Sequence, residues 1–245
     1  MIRQIATLFG LVAGLLVSSY SPSIAQVDDN QIFKQIIVDQ FEYRPNEGQE
    51  AVRWDAQAWI GFDFDKLWLK TEGQRRVSDG TSNGEAEFQV LYSRAITPFW
   101  DLQAGWRFDQ LYQTGSNPSR SFAVLGIQGL APYWFETEAA AFVSEDGDVS
   151  ARLTASYELL FTQRLILQPR LEINAAASSV PRFGVGKGVN DLGLGLRLRY
   201  EVVREVAPYV GMEWTRKLGE TADLARQDGE DTSVFTVVSG VRFYF

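Results

Sequence analysis

Glu136 and Glu138 form a carboxylate pair at positions i and i+2, and so do Glu85 and Glu87. On an extended strand that spacing turns both members to one face. Such a pair could divide acid and base work between a protonated and an ionised carboxyl. The rest of the inventory is narrow. Histidine and cysteine are absent. A Ser–His–Asp triad, an imidazole metal site and a thiolate metal site are therefore all closed to this chain. Methionine occurs only at Met1 and Met212. Because i, i+2 carboxylates recur wherever a strand has a polar face, the expectation is a protein with no catalytic residue, not an enzyme.

What remains is electrostatic. Glu136, Glu138, Arg152, Glu158, Arg170, Glu172, Arg197, Arg199, Glu201 and Glu213 bring both signs to what should be one face of a sheet. They could neutralise one another as an ion-pair network filling a narrow interior. Alternatively, Glu136, Glu138, Glu158, Glu172 and Glu213 could line a polar path or a weak cation site. No cofactor-binding motif accompanies them. The net charge of −8 supplies no basic stripe for phosphates and disfavours nucleic acid as a partner.

Strands must position these groups. From Asp191 to Glu201, Leu192, Leu194, Leu196, Leu198 and Tyr200 alternate with Gly193, Gly195, Arg197 and Arg199. Segments 149–159 and 165–174 repeat the pattern. Strict alternation means strands with one apolar and one polar face. Extended along the chain, it predicts about twelve strands: 36–44, 52–63, 66–75, 85–95, 99–110, 120–130, 133–143, 149–159, 164–174, 191–202, 207–217 and 234–245. Each has roughly the ten residues that a tilted membrane strand needs. Short connections (63–66, 96–98, 131–132, 160–163, 203–206) alternate with mostly longer ones rich in Gly, Asn, Asp and Ser, such as 77–84, 175–190 and 218–233.

Two groups of aromatics flank the strands. Phe62, Phe64, Phe99, Trp100, Tyr133, Trp134, Phe135, Phe161, Tyr209, Tyr244 and Phe245 lie near the short turns or the C-terminus. Trp54, Phe108, Phe122, Phe142, Trp214 and Phe235 lie near the longer loops. Rings at both strand ends suit the two interfaces of a membrane. The first 25 residues have the pattern of a secretory signal: Arg3, an apolar stretch from Ile5 to Val17, and Ser23-Ile24-Ala25 before Gln26. Residues 26–35 would be a short periplasmic leader, and 36–245 the barrel. The final strand, Val241-Arg242-Phe243-Tyr244-Phe245, resembles the insertion signal of outer-membrane barrels.

Alternation alone would also suit a soluble barrel with its apolar face inward. The signal, the terminal Phe245 and the aromatic belts favour the membrane. The expected fold is thus all-β: an antiparallel, up-and-down transmembrane β-barrel of about twelve strands. It would sit in outer-membrane lipid with both termini periplasmic.

Several segments resemble the copper resistance protein B family of Gram-negative outer membranes. They are DQFEYR at 39–44, WDAQAW at 54–59, KLWLKTEG at 66–73, LYSRAI at 91–96, PFWDLQAG at 98–105, QGLAPYWFE at 128–136, TQRLILQPR at 162–170, APYVG at 207–211 and Glu213-Trp214. The resemblance covers about residues 36–245. It implies an outer-membrane protein of copper homeostasis that limits copper accumulation by binding, sequestration or export, beside a periplasmic multicopper oxidase. Members of the family often carry an N-terminal segment rich in Met and His. Here Gln26 to Gln35 contains neither, so no copper-ligand residue carries over, and a copper ion would meet only carboxylates and one thioether. Carboxylates suit hard cations and select Cu(I) poorly. A general ion or solute channel, or a structural barrel without a copper role, is the alternative expectation.

Overall fold

The alternation becomes strands almost residue for residue. The computed structural model describes residues 31–45, 50–77, 83–113 and 117–245. The expected signal, 1–25, and the leader up to residue 30 lie outside the described residues. The strands are β1 (Phe33–Arg44), β2 (Ala51–Gly61), β3 (Asp65–Arg76), β4 (Gly84–Thr97), β5 (Trp100–Tyr112), β6 (Ser119–Ala131), β7 (Phe135–Ser144), β8 (Val149–Ser156), β9 (Leu159–Leu160), β10 (Leu165–Ala176), β11 (Gly188–Tyr200), β12 (Val206–Lys217) and β13 (Ser233–Tyr244). β1 begins three residues before the expected start, because Phe33 already pairs with Gly61.

Each strand pairs antiparallel with its neighbours, and β1 pairs with β13, which closes the sheet. β8 and β9 both pair with β10, so they are two pieces of one stave and the barrel has twelve. The break falls at Tyr157-Glu158, opposite Pro169, which lacks an N–H to donate. The expected continuous strand 149–159 is corrected there. Closure leaves no free sheet edge, the condition for carrying strands through lipid.

Burial fixes which face is which. Leu125, Val210 and Phe235 are each about 60 % exposed, whereas Glu42 is 1 % and Arg197 3 % exposed. A soluble barrel has the opposite distribution. The apolar stripe points outward to lipid and the charges point to the axis. A β-bulge at Asp39 shifts the period in β1: Val38 pairs with Ala56 but Gln40 with Asp55. Phe41 and Tyr43 therefore face out while Gln40, Glu42 and Arg44 are buried.

The interior is not wholly polar. Trp68, Leu91, Phe122, Val124 and Phe142 form a buried cluster, with Trp59 and Ala140 packed against it. Phe122 and Phe142 were expected in the loop-side belt, and Tyr209 in the turn-side belt. All three point inward instead, because their strand registers give them axis-facing positions. At the turn end Phe62, Phe64, Phe99, Tyr133, Trp134 and Phe161 are exposed as expected.

One expected loop is partly helical. Residues 219–227 form α1 (Gly219–Gln227), which buries Thr221, Ala222 and Ala225. It docks on the 177–187 loop. Thr221 Oγ1 accepts from Gly186 N at 2.9 Å and from Asn190 Nδ2 at 2.8 Å. Lys187 N donates to Glu220 Oε2 at 2.9 Å. Gly186 is required for this approach: a Cβ there would lie 2.3 Å from Thr221 N.

Candidate functional site

The chemistry of this chain lies along the barrel axis. Glu42, on β1, is held by Arg44 Nε at 2.9 Å, by Arg197 of β11 at 3.1 Å and by the Tyr209 hydroxyl of β12 at 3.1 Å. Glu213 of β12 accepts from Arg197 at 2.7 Å, Arg44 at 2.8 Å and Arg53 at 3.2 Å. Two carboxylates thus share three guanidiniums in a sector almost closed to water. Buried charge of this kind is tolerable only when every partner is present. Tyr209 can lie flat because its cross-strand partner is Gly240, where a Cβ would sit 2.6 Å from the phenol.

A second network follows from register. Glu72, Glu87 and Asp109 stand directly opposite one another on β3, β4 and β5. Like charges so placed repel. Two arginines interleave them. Arg152 of β8 binds Glu72 and, at 2.9 Å, Glu87. Arg107 binds Glu87 and Asp109, each at 2.7 Å. Further pairs brace the bore: Lys70–Glu138 at 2.8 Å, Arg170–Asp55 at 3.0 Å, Lys66–Asp101 at 2.9 Å, Arg199–Glu158 at 2.6 Å and Arg242–Asp39 at 3.1 Å.

Arginines and phenylalanines also alternate in a column toward the loop end. Arg152 lies 5.8 Å from the Phe142 ring, and Arg107 lies 4.4 Å from Phe142 and 5.1 Å from Phe122. Arg120 lies 5.0 Å from Phe122 and 3.8 Å from Phe183, with Arg182 5.1 Å from Phe183. Phe183 belongs to the 177–187 loop, so the column ties that loop to the barrel wall. Each such contact contributes about 0.5–2 kcal/mol.

The five glutamates singled out in the sequence do not converge. Glu138, Glu158, Glu172 and Glu213 each engage cations, Glu172 through Arg170 at 3.5 Å and, at 3.9 Å, through the Arg53 that it shares with Glu213. Glu136 accepts from Ser156 Oγ at 3.4 Å. Members of the other pair also part company. Glu87 is buried between Arg107 and Arg152, while Glu85 is exposed at the loop end. Among the described residues no group of three or more His, Cys, Asp or Glu is arranged to hold a metal ion.

Met212 faces outward, 46 % exposed, between its cross-strand neighbours Leu196 and Val237. Its sulfur is therefore turned away from any path along the axis. Sequence reasoning missed Glu42, Asp55, Glu72 and Asp109 as interior partners. The period-two signal was present for Asp55 and Glu72, but the Asp39 bulge hides it around Glu42.

Comparisons with known proteins agree with this architecture. The family model described as Copper resistance protein B precursor (CopB) matches residues 32–245. Copper resistance protein B of Escherichia coli is 41 % identical over 222 residues, covering 89 % of this chain and 72 % of that protein. A Copper resistance protein B homolog of Pseudomonas syringae pv. tomato is 40 % identical over 220 residues, covering 90 % and 72 %. Among solved structures, the NanC porin superposes with a TM-score of 0.56 at 15 % identity, covering 85 % of this chain and 98 % of that one. The KdgM porin does so with 0.51 at 12 % identity, covering 86 % and 99 %. These two likenesses speak to the fold.

Proposed function

The chain belongs to the copper resistance protein B family, and from that premise we propose that it limits copper accumulation without catalysis, as a passage through the outer membrane rather than a store of metal. The family match carries the copper role. The interior supports passage over storage: most of its carboxylates are engaged by arginine or lysine, and its one sulfur outside Met1 faces lipid. A soft ion such as Cu(I), which favours sulfur, would find no lasting site there. Capture of the metal then falls to another protein, and a periplasmic multicopper oxidase is the proposed neighbour.

Residues 1–25 would act as the export signal and 26–35 as a periplasmic leader, with both termini on the periplasmic side. The alternation of short turns and longer loops supports this orientation, since periplasmic turns of such barrels are the tight ones.

Deleting the gene tests the proposal. The deletion strain should tolerate less copper and retain more of it per cell. Wild-type tolerance together with wild-type copper content would remove the copper role. It would leave a general small-ion channel or a structural barrel.

A further inference from the structure

The exposure of the inward side chains divides the bore into three. On one side Gln40, Glu42, Arg197 and Tyr209 are at most 5 % exposed. On the other the cluster of Trp68, Leu91, Phe122, Val124 and Phe142 is equally closed to water. Between them the side chains of Arg53, Asp55, Glu72, Arg152, Arg170 and Glu172 are each 19–22 % accessible. Water therefore reaches the axis along this middle strip.

Those six residues come from opposite walls. Arg53, Asp55 and Glu72 stand on β2 and β3, and Arg152, Arg170 and Glu172 on β8 and β10. Strands β4 to β7 separate the two walls on one side, and β11, β12, β13 and β1 on the other. The walls nevertheless touch. Arg170 reaches Asp55 at 3.0 Å, Arg53 reaches Glu172 at 3.9 Å, and Arg152 binds Glu72. The wet strip is thus crossed by three ion pairs.

Each mouth carries one carboxylate outside the ion pairs. Glu85 on β4 at the loop end and Glu136 on β7 at the turn end occupy inward register positions. Neither has a cation within ion-pair distance among the described residues.

We propose that the barrel is a narrow, cation-preferring conduit whose constriction is the set of cross-bore pairs Asp55–Arg170, Glu172–Arg53 and Glu72–Arg152. Small hydrated cations pass when a pair opens transiently, and solutes of sugar size are refused. A charge in the strip always has a partner of opposite sign nearby, so a passing cation exchanges with an arginine instead of crossing bare low-dielectric space. The unpaired carboxylates at the two mouths raise the local cation concentration. This deepens the reading of the barrel as a passage, but it rests on the bore alone and does not require that copper be the ion carried.

The test uses the whole protein in planar bilayers with KCl, and in liposomes challenged with the trisaccharide raffinose. Wild type should show small, K+-preferring conductance and no raffinose entry. The double variant Arg152→Gln, Arg170→Gln should conduct several-fold more with stronger K+ preference. Asp55→Asn with Glu72→Gln should also conduct more, but with the preference moved toward Cl−. Glu85→Gln with Glu136→Gln, which leaves the constriction intact, should weaken K+ preference and still exclude raffinose.

Folding of each variant is checked by the gel shift between unboiled and boiled samples. If the constriction variants do not fold, the mouth variant and wild type still decide. Raffinose entry into wild-type liposomes, Cl− preference, or an unchanged preference in the mouth variant would overturn the proposal. Because the probe is KCl, failure here is separable from failure of the copper role, which the deletion strain reads.

Discussion

Replacing Arg197 with leucine removes one of the guanidiniums that Glu42 and Glu213 share, leaving their remaining arginines to balance two buried carboxylates. Removing one partner of a buried pair typically costs about 3–5 kcal/mol, most of it the penalty on the charge left behind. The expected result is a marked loss of stability in urea titrations of the refolded barrel. Three residues earlier, Leu194 faces lipid, 44 % exposed. Leu194→Arg should impair insertion by about 2–4 kcal/mol if the position lies near mid-membrane, measured as refolding yield into vesicles. Arg197→Leu should instead insert but unfold at lower urea. Equal behaviour of the two would contradict the assigned faces. Gly240 offers a third probe: valine there would meet the Tyr209 phenol and push its hydroxyl off Glu42.

At the scale of elements, the turn between β6 and β7 and the helix α1 invite opposite experiments. Tyr133 and Trp134 both have φ of +67°, a conformation that costs a bulky residue about 1–3 kcal/mol. Their rings are among the most exposed in the chain, so packing inside the protein does not offset that cost. Contact with the membrane interface would, since Tyr and Trp settle at headgroup depth. Tyr133→Asn with Trp134→Gly should therefore stabilise the protein in detergent micelles relative to wild type, yet slow its insertion into bilayers.

Helix α1 carries a pH dependence. The Lys187 N–H that donates to Glu220 holds its carboxyl below the ordinary glutamate range, helped by Ser179. A depressed folded value means the contact contributes fully above the unfolded pKa and is lost as pH falls through the folded one. Limited proteolysis of the 177–187 loop should accelerate across that acid window, and Glu220→Gln should flatten the change. Cleavage that is insensitive to acid would show that Thr221 and Asn190 hold the loop unaided.

For the whole molecule, closure of β1 on β13 predicts resistance to dodecyl sulfate. Unboiled protein should migrate faster than boiled protein on a gel, and a barrel cut between β1 and β2 should lose the difference. Most of this architecture was legible in the chain. Leu192 to Tyr200 gave the stave and its lipid face, and Arg197 and Arg199 its inner face, because a period of two is a local property. What was not legible is non-local. Phe122 and Phe142 have the composition of belt residues, and their place in a buried cluster with Trp68 and Leu91 of other strands is what sequence alone does not show. Glu172 and Glu213 were found together with Arg170 and Arg197, but Arg44 and Arg53, which also bind them, were not, because distances between strands far apart in sequence depend on how the sheet closes. Helix α1 was read as loop because it is short and its polar residues mask Thr221, Ala222 and Ala225, whose burial depends on the neighbouring loop.

The outward setting of Met212 has a chemical consequence. Copper that cycles between its two oxidation states in the presence of oxygen generates peroxide, and thioethers and thiols are ready targets of such oxidants. Cysteine and histidine are absent from this chain, and Met212 turns its sulfur toward acyl tails. Traffic of a redox-active ion along the axis would thus meet carboxylates and guanidiniums, groups that do not climb the sulfur oxidation ladder. Were copper that ion, the barrel would offer it no sulfur along the axis to oxidise.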